Sequence, residues 1–143
     1  MMSNSWLLWA LLSAVFAALT AVLAKVGVQQ MDSDLATWVR TVVVLAALTL
    51  FVTLAGKWRN PFELAPRSLG FLVLSGLATG ASWVCYFRAL QLGDVSKVAP
   101  VDKLSLVLLT VFAVVFLGER PVGREWLGIG LVAAGVLVLS LRR

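Results

Sequence analysis

Hydrophobic residues occur in five long runs along this chain, and polar residues cluster in the short stretches between them. Runs of about 20 apolar residues are typical of helices that cross a lipid bilayer. Backbone groups inside lipid must be hydrogen-bonded within the protein, so the pattern predicts helices of this length. The predicted helices cover about 6–28, 35–55, 69–90, 95–117 and 126–141.

The connections between the predicted helices are short. They read QQMDSD, GKWRNPFELAPRS, QLGD and GERPVGRE, which leaves room only for antiparallel neighbours. We therefore predict an all-α membrane protein, a bundle of five transmembrane helices that forms a single domain over residues 1–143. Such a protein crosses the membrane several times.

Composition agrees with the pattern and excludes several functions. Hydrophobic residues make up 61% of the chain and charged residues 13%, with a mean hydropathy of +0.98; soluble domains carry about 25% charged residues. The chain has no His and only one Cys, Cys85, so no His- or Cys-based metal site is expected. No grouping of nucleophile, base and acid indicates an enzyme. The net charge of +5 lies at helix ends and within helices, which favours anionic lipid or an anionic solute over nucleic acid.

The distribution of basic residues leaves the orientation of the chain nearly undecided. Five crossings place the termini on opposite sides, and each side then receives five basic residues near the membrane. One interpretation is a chain that inserts in both orientations and pairs as an antiparallel homodimer, as inverted repeats do in transporters. The other is a single orientation with a weak charge bias. The residues are Lys57, Arg59, Arg67, Arg120 and Arg124 on the N-terminal side, and Lys25, Arg88, Lys97, Arg142 and Arg143 on the other.

Asp102 and Lys103 are adjacent charges inside the fourth predicted helix. Asp102 lies about 10 Å along the helix axis, where a charge costs at least about 2.5 kcal/mol, so it is expected to face protein or water. Adjacent residues point about 100° apart on a continuous helix, and no ion pair between the two is expected. Asp102 shares a helix face with Ser105, whereas Lys103 can extend towards the interface.

Pro100 offers two interpretations of this segment. It lacks a backbone donor and can free the carbonyl of Ser96, which would create a polar pocket beside Asp102 and Ser105 at a helix break. Alternatively, Pro100 is tolerated in the first turns of the helix, and Asp102 forms a structural ion pair with a basic residue. The candidates for that pair are Lys25 and Arg40.

Two further cations and two aromatic residues are candidate site residues. Arg40 lies about 9 Å inside the second helix and is predicted to line a cavity. Lys25, near the end of the first helix, either extends to the interface or lines a cavity opposite Asp102. Trp83 and Tyr86 share one side of the third helix and can stack against a solute or pack as ordinary aromatic residues. That side also carries Ser75, Thr79 and Ser82.

The stretch from Tyr86 to Leu139 resembles the EamA unit of the drug/metabolite transporter superfamily. The resemblance rests on YFRALQLGD, the Pro100 helix, LGERP and the glycine-rich last helix, with weaker similarity in AVLAKVGV and TWVRTVVV. Most relatives carry two units in inverted orientation, whereas this chain carries one, as in the five-helix bacterial and archaeal group. The resemblance thus implies a dimer, transport of a small metabolite and no bound cofactor. Small multidrug transporters of the superfamily use a Glu in the first helix, where this chain has only Lys25. Any proton coupling in this chain would therefore have to use another carboxylate within a predicted helix, namely Asp102.

These observations predict a secondary transporter in the cytoplasmic membrane of a prokaryote. It would move a small anionic or zwitterionic metabolite by alternating access as an antiparallel homodimer, with export as a candidate direction. The alternative is a half-unit or accessory component of a heterodimeric transporter or lipid-carrier flippase, whose basic residues meet lipid phosphate. The predicted substrate-binding or coupling residues are Lys25, Arg40, Trp83, Tyr86, Asp102, Lys103 and Ser105, with Pro100 as the helix break.

Overall fold

The computed structural model describes residues 5–60 and 63–141, so Arg142 and Arg143 of the charge count lie outside the described residues. Within those ranges the regular structure consists of six α-helices, and no strand occurs. The helices are α1 (Ser5–Val28), α2 (Ser33–Leu54), α3 (Pro66–Leu92), α4 (Val95–Asp102), α5 (Ser105–Leu117) and α6 (Gly123–Leu141).

Five segments of the described chain are long and apolar enough to span a membrane, because α4 and α5 together form one span over Val95–Leu117. The most apolar 18-residue stretch of each segment has a mean hydropathy between 1.5 and 2.4. The prediction of an all-α protein with five transmembrane spans is therefore confirmed.

Local contacts explain where several helices begin and end. The Asp32 carboxylate accepts hydrogen bonds from the backbone N–H groups of Asp34 (2.9 Å) and Leu35 (3.2 Å), so α2 begins two residues before its predicted start. The Glu125 carboxylate accepts one from the N–H of Val122 (2.8 Å) at the start of α6, as in a capping box. Gly118 ends α5 with φ of +68°, a left-handed conformation that suits glycine.

The fourth predicted helix is interrupted, and the interruption lies after Pro100, the residue named as the helix break. Lys103 and Leu104 form a turn between α4 and α5. The N–H of Lys103 donates to the carbonyl of Pro100 (2.9 Å), and the N–H of Leu104 donates to that of Val101 (3.0 Å). These three-residue spacings are tighter than those of an α-helix. The interruption follows Pro100, which lies inside α4 and has no N–H for the helical hydrogen-bond ladder.

The chain divides into two compact units, Met1–Leu92 and Gly93–Arg143. In the N-terminal unit, α1, α2 and α3 contact one another, and Val28, Leu90 and Phe87 are buried. Ala21 and Ala36 are also buried, and such small residues let membrane helices approach closely. The N-terminal unit therefore has a small core near the connection between α1 and α2.

In the C-terminal unit, α6 contacts both α4 and α5. Its buried described side chains are Ala113 of α5 and Val136 of α6. Large apolar side chains are exposed along α5 and α6, as expected for helices that face lipid or a partner. The single domain predicted for residues 1–143 stays a prediction.

Candidate functional site

A cavity lies among the three helices of the N-terminal unit. Its volume is about 330 Å³, which is at the lower end of the range for ligand pockets, about 300–1,000 Å³. We call it the Arg40 cavity, because Arg40 is the charged residue of an otherwise largely apolar lining. The lining residues are Thr20, Leu23, Ala24, Gly27, Met31, Ala36, Val39, Arg40 and Phe87.

Arg40 is half-buried on α2 and lies seven residues after Ser33, or about 10 Å along the helix axis. Its guanidinium carbon is 4.4 Å from the centroid of the Trp83 ring and 5.4 Å from that of the Phe87 ring. Trp83 and Phe87 are four residues apart on α3, so their rings lie on the same helix face. The two rings therefore hold the guanidinium through cation–π contacts.

The charge of Arg40 is not neutralised by a carboxylate within residues 5–60 and 63–141, where no ion pair includes it. Tyr86 lies three residues after Trp83 on α3, on the same side of that helix. The structure thus brings Arg40 into contact with Trp83, two of the residues singled out in the sequence, and Tyr86 lies next to Trp83 on α3. Their functional roles remain predictions.

Phe87 belongs to this site and was missed by the sequence analysis. A phenylalanine in an apolar helix carries no signal of its own, because most such residues face lipid or other helices. Its spacing of four residues from Trp83 was the available indication, since two aromatic rings one turn apart can flank one cation.

Lys25 contacts the end of α3, and the two roles suggested for it from the sequence stay predictions. Its Nζ donates a hydrogen bond to the backbone carbonyl of Leu90 at 2.6 Å. Because α3 ends at Leu92, the Leu90 carbonyl belongs to the last turn, whose carbonyls lack partners within the helix. A cation at this end of a helix also interacts favourably with the helix dipole. Lys25 therefore stabilises the C-terminal end of α3.

Two further contacts join the end of α3 to the start of α2. Arg88 Nη2 lies 3.0 Å from Asp34 Oδ2 and 3.2 Å from Asp34 Oδ1. Gln91 Nε2 donates to the backbone carbonyl of Met31 at 3.1 Å. We call Lys25, Asp34, Arg88 and Gln91 the polar cluster. It fixes the three helices at one end of the Arg40 cavity, which Met31 also lines.

In the C-terminal unit, the expectation that Asp102 and Lys103 do not pair is wrong. Lys103 Nζ lies 3.4 Å from Asp102 Oδ2. Neighbouring residues in the three-residue turn after α4 still point about 120° apart, so the backbone does not bring the two charges together. The long, flexible Lys103 side chain reaches back to the adjacent carboxylate. Ser105 is the exposed first residue of α5, and Pro100 is half-buried in α4. An ion pair of Asp102 with Lys25 or Arg40 stays a prediction.

A search of the described residues finds no group of three or more His, Cys, Asp or Glu side chains that could hold a metal ion.

Comparison with known proteins identifies the family. Residues 4–141 match the EamA-like transporter family, and the chain belongs to that family. The resemblance drawn from the sequence is thereby confirmed. The protein is a transporter rather than an enzyme, and it crosses the membrane several times; in bacteria such proteins typically reside in the cell membrane.

Two relatives bear on function. An uncharacterized transporter in the cobO 3′ region of a Sinorhizobium species is 57% identical over 140 residues, which cover 98% of this chain and 99% of the relative. The probable 4-amino-4-deoxy-L-arabinose-phosphoundecaprenol flippase subunit ArnE of Yersinia pestis is 30% identical over 73 residues. That match covers 51% of this chain and 64% of ArnE. No solved structure matches the chain.

Proposed function

We propose that this transporter moves a small anionic or zwitterionic metabolite by alternating access. The observation that carries the proposal is the Arg40 guanidinium, which lies at a cavity between membrane-spanning helices without a described carboxylate partner. A charge in the hydrocarbon region is costly to keep, and residues of this kind mark solute pathways. A solute oxyanion would supply the missing counter-charge.

The proposed assembly is an antiparallel homodimer. Many transporters combine two inverted units around a site near the membrane midplane, and this chain supplies one unit of five spans. The near-equal division of basic residues supports insertion in both orientations. Each chain would then contribute one half of the solute pathway.

Roles for the remaining candidate residues follow from this assembly. Lys25 and Lys103 would add positive potential along the pathway, and Trp83 and Tyr86 would shape the pocket around Arg40. Asp102 would balance charge or carry a proton, with Ser105 beside it after the interruption that follows Pro100. The exposure of Asp102 and its distance of 3.4 Å from Lys103 support a group that can exchange partners.

Uptake into reconstituted vesicles tests the transport function. A panel of radiolabelled amino acids and small organic acids is screened under an imposed pH gradient. Wild-type protein is expected to accumulate at least one of them, Arg40→Gln to lose that uptake, and Asp102→Asn to lose its dependence on the gradient. Asp94→Asn is the matched control, because Asp94 pairs with Lys97 one turn away. Full uptake by Arg40→Gln would remove the proposed role of this residue.

The location of the C-terminus tests the homodimer. Matched fusions after Arg143 carry a reporter active only in the cytoplasm or one active only outside. Activity from both fusions is expected, because two orientations are required for an antiparallel homodimer. Activity from only one fusion contradicts this assembly and leaves the transport assay intact as a separate test.

A second candidate function is a subunit of a lipid-carrier flippase. The similarity to ArnE, which is named as a probable flippase subunit, favours it. In that case the basic residues would contact lipid phosphate. Purification from native membranes distinguishes the candidates, since a subunit is expected to retain a second protein in equal amount and to transport no solute alone.

A further inference from the structure

We infer that the Arg40 cavity binds an oxyanion attached to an apolar body, and that it discriminates against zwitterions and cations. The inference deepens the proposed function, because it narrows the class of solute. It also concerns binding at equilibrium, which can be measured whether or not the protein transports the bound molecule.

The charge of the described cavity lining favours an anionic ligand. Arg40 is the charged group in that lining, which includes no carboxylate. Asp34, an acidic residue in the first turn of α2, is engaged by Arg88 at 3.0 Å. The ammonium group of a zwitterion would therefore leave water without a counter-charge from the described lining, and burial of an unpaired charge is unfavourable.

The apolar part of the cavity lining favours a ligand with an apolar body. Leu23, Val39 and Phe87 present aliphatic and aromatic surface, and Ala24 and Gly27 keep the α1 side open. A small inorganic anion would contact Arg40 but leave this surface unfilled. An apolar body attached to the anionic group would bury it, and burial contributes about 25 cal/mol per Å² of apolar area removed from water.

The position of Arg40 between two aromatic rings also favours an oxyanion. Its guanidinium carbon lies 4.4 Å from the centroid of the Trp83 ring and 5.4 Å from that of the Phe87 ring. A guanidinium carries five N–H donors, and it can donate two parallel hydrogen bonds to a carboxylate or phosphate. The ring contacts restrict the cation before a ligand arrives and thereby limit the side-chain entropy lost on binding.

A ligand series with one apolar body and different charges tests the inference on purified full-length protein. Calorimetric titration compares phenylacetate, L-phenylalanine, phenethylammonium and acetate. Phenylacetate is expected to bind at least about tenfold more tightly than each of the others, because only it matches both the guanidinium and the apolar lining. Equal or tighter binding of phenethylammonium or L-phenylalanine would overturn the inference.

Variants assign the selectivity to the cavity. Arg40→Gln is expected to weaken phenylacetate binding by roughly 10- to 100-fold, the equivalent of a lost charge-assisted hydrogen bond. Arg40→Lys keeps the charge but loses the planar fork, and an intermediate loss is expected. Lys97→Gln is the matched control, because Lys97 pairs with Asp94 in the C-terminal unit and does not line the cavity. Unchanged affinity in both Arg40 variants would place the anion elsewhere and overturn the inference.

The oxyanion can belong to a free metabolite or to a lipid headgroup, and vesicle composition distinguishes them. Protein is reconstituted in phosphatidylcholine alone or with phosphatidylglycerol, and phenylacetate binding is measured in each. Competition by phosphatidylglycerol that disappears in Arg40→Gln assigns the cavity to a lipid phosphate. Equal binding in the two membranes assigns it to a free solute. Both results retain the oxyanion, and the charge series together with the Arg40 variants decides whether the inference stands.

Discussion

Charged side chains connect different helices in the N-terminal unit, whereas in the C-terminal unit they contact residues close to them in sequence. Lys25 contacts the Leu90 carbonyl and Arg88 contacts Asp34, each across more than 50 residues. The corresponding C-terminal contacts are Asp94 with Lys97, Asp102 with Lys103 and Glu125 with the N–H of Val122.

The two sets of contacts depend on different parts of the folded chain. The N-terminal contacts exist only when α1, α2 and α3 are packed, so they define a site whose geometry is fixed before a ligand arrives. The C-terminal contacts need only a short stretch of chain and neutralise charge locally. Substitutions that remove side chains of the polar cluster or of the N-terminal core should therefore lower the free energy of unfolding. Matched substitutions in the C-terminal unit should lower it less.

The largest expected effect comes from Leu90, which is fully buried in the N-terminal unit. Leu90→Ala is expected to destabilise the protein by about 2 kcal/mol, the lower end of the usual range, because lipid also offers leucine an apolar environment. Leu139→Ala in α6 is the matched control; that side chain is 45% exposed, and a change below about 0.5 kcal/mol is expected. Unfolding by denaturing detergent measures both, and equal effects would contradict the comparison.

A smaller effect is expected from Lys25, whose hydrogen bond to the Leu90 carbonyl is 2.6 Å long. Lys25→Met keeps the length of the side chain and should cost about 1 kcal/mol, since a last-turn carbonyl loses its donor and the helix dipole loses a cation. Lys97→Met is the control, and its exposed pair with Asp94 should contribute only a few tenths of a kcal/mol. The same unfolding assay measures both variants. A larger loss of stability in Lys97→Met than in Lys25→Met would contradict the comparison between the two units.

The smallest expected effect is the coupling between Arg88 and Asp34. Both side chains are more than half exposed, at 59% and 52%, so a double-mutant cycle with Arg88→Gln and Asp34→Asn should give about 0.2–1 kcal/mol. The cycle for Lys97 and Asp94 should give about 0.3–0.5 kcal/mol. Both couplings should fall in high salt, because solvent screens exposed charges. A coupling that resists salt would indicate that the Arg88 pair is enclosed in the membrane-embedded protein.

Hydropathy alone predicted the five spans, because the cost of burying backbone in lipid leaves little choice of structure. The depth of Arg40 also marked it as a candidate, since a cation deep inside an apolar segment is energetically costly and usually has a function. Its contacts with Trp83 and Phe87 could not be predicted from the sequence, because they depend on how α2 and α3 pack. The same holds for Lys25, whose backbone partner lies 65 residues away.

The fourth span shows a different limit. Pro100 indicated a possible break, but the position of the interruption at Lys103 and Leu104 depends on which carbonyls accept the next backbone donors. The ion pair of Asp102 with Lys103 was missed for another reason. Helical periodicity describes the direction in which a side chain leaves the backbone, whereas the long, flexible stem of a lysine determines where its charge lies.

That interruption also has a consequence for biosynthesis. Val95–Leu117 forms one span, and its most apolar 18-residue stretch has a mean hydropathy of 2.0, so the segment can partition into the bilayer in one event. Because the N–H groups of Lys103 and Leu104 are already hydrogen-bonded within the turn, these donors need no water during that passage. A single insertion step thus places both α4 and α5 in the membrane, and the turn between them requires no additional crossing.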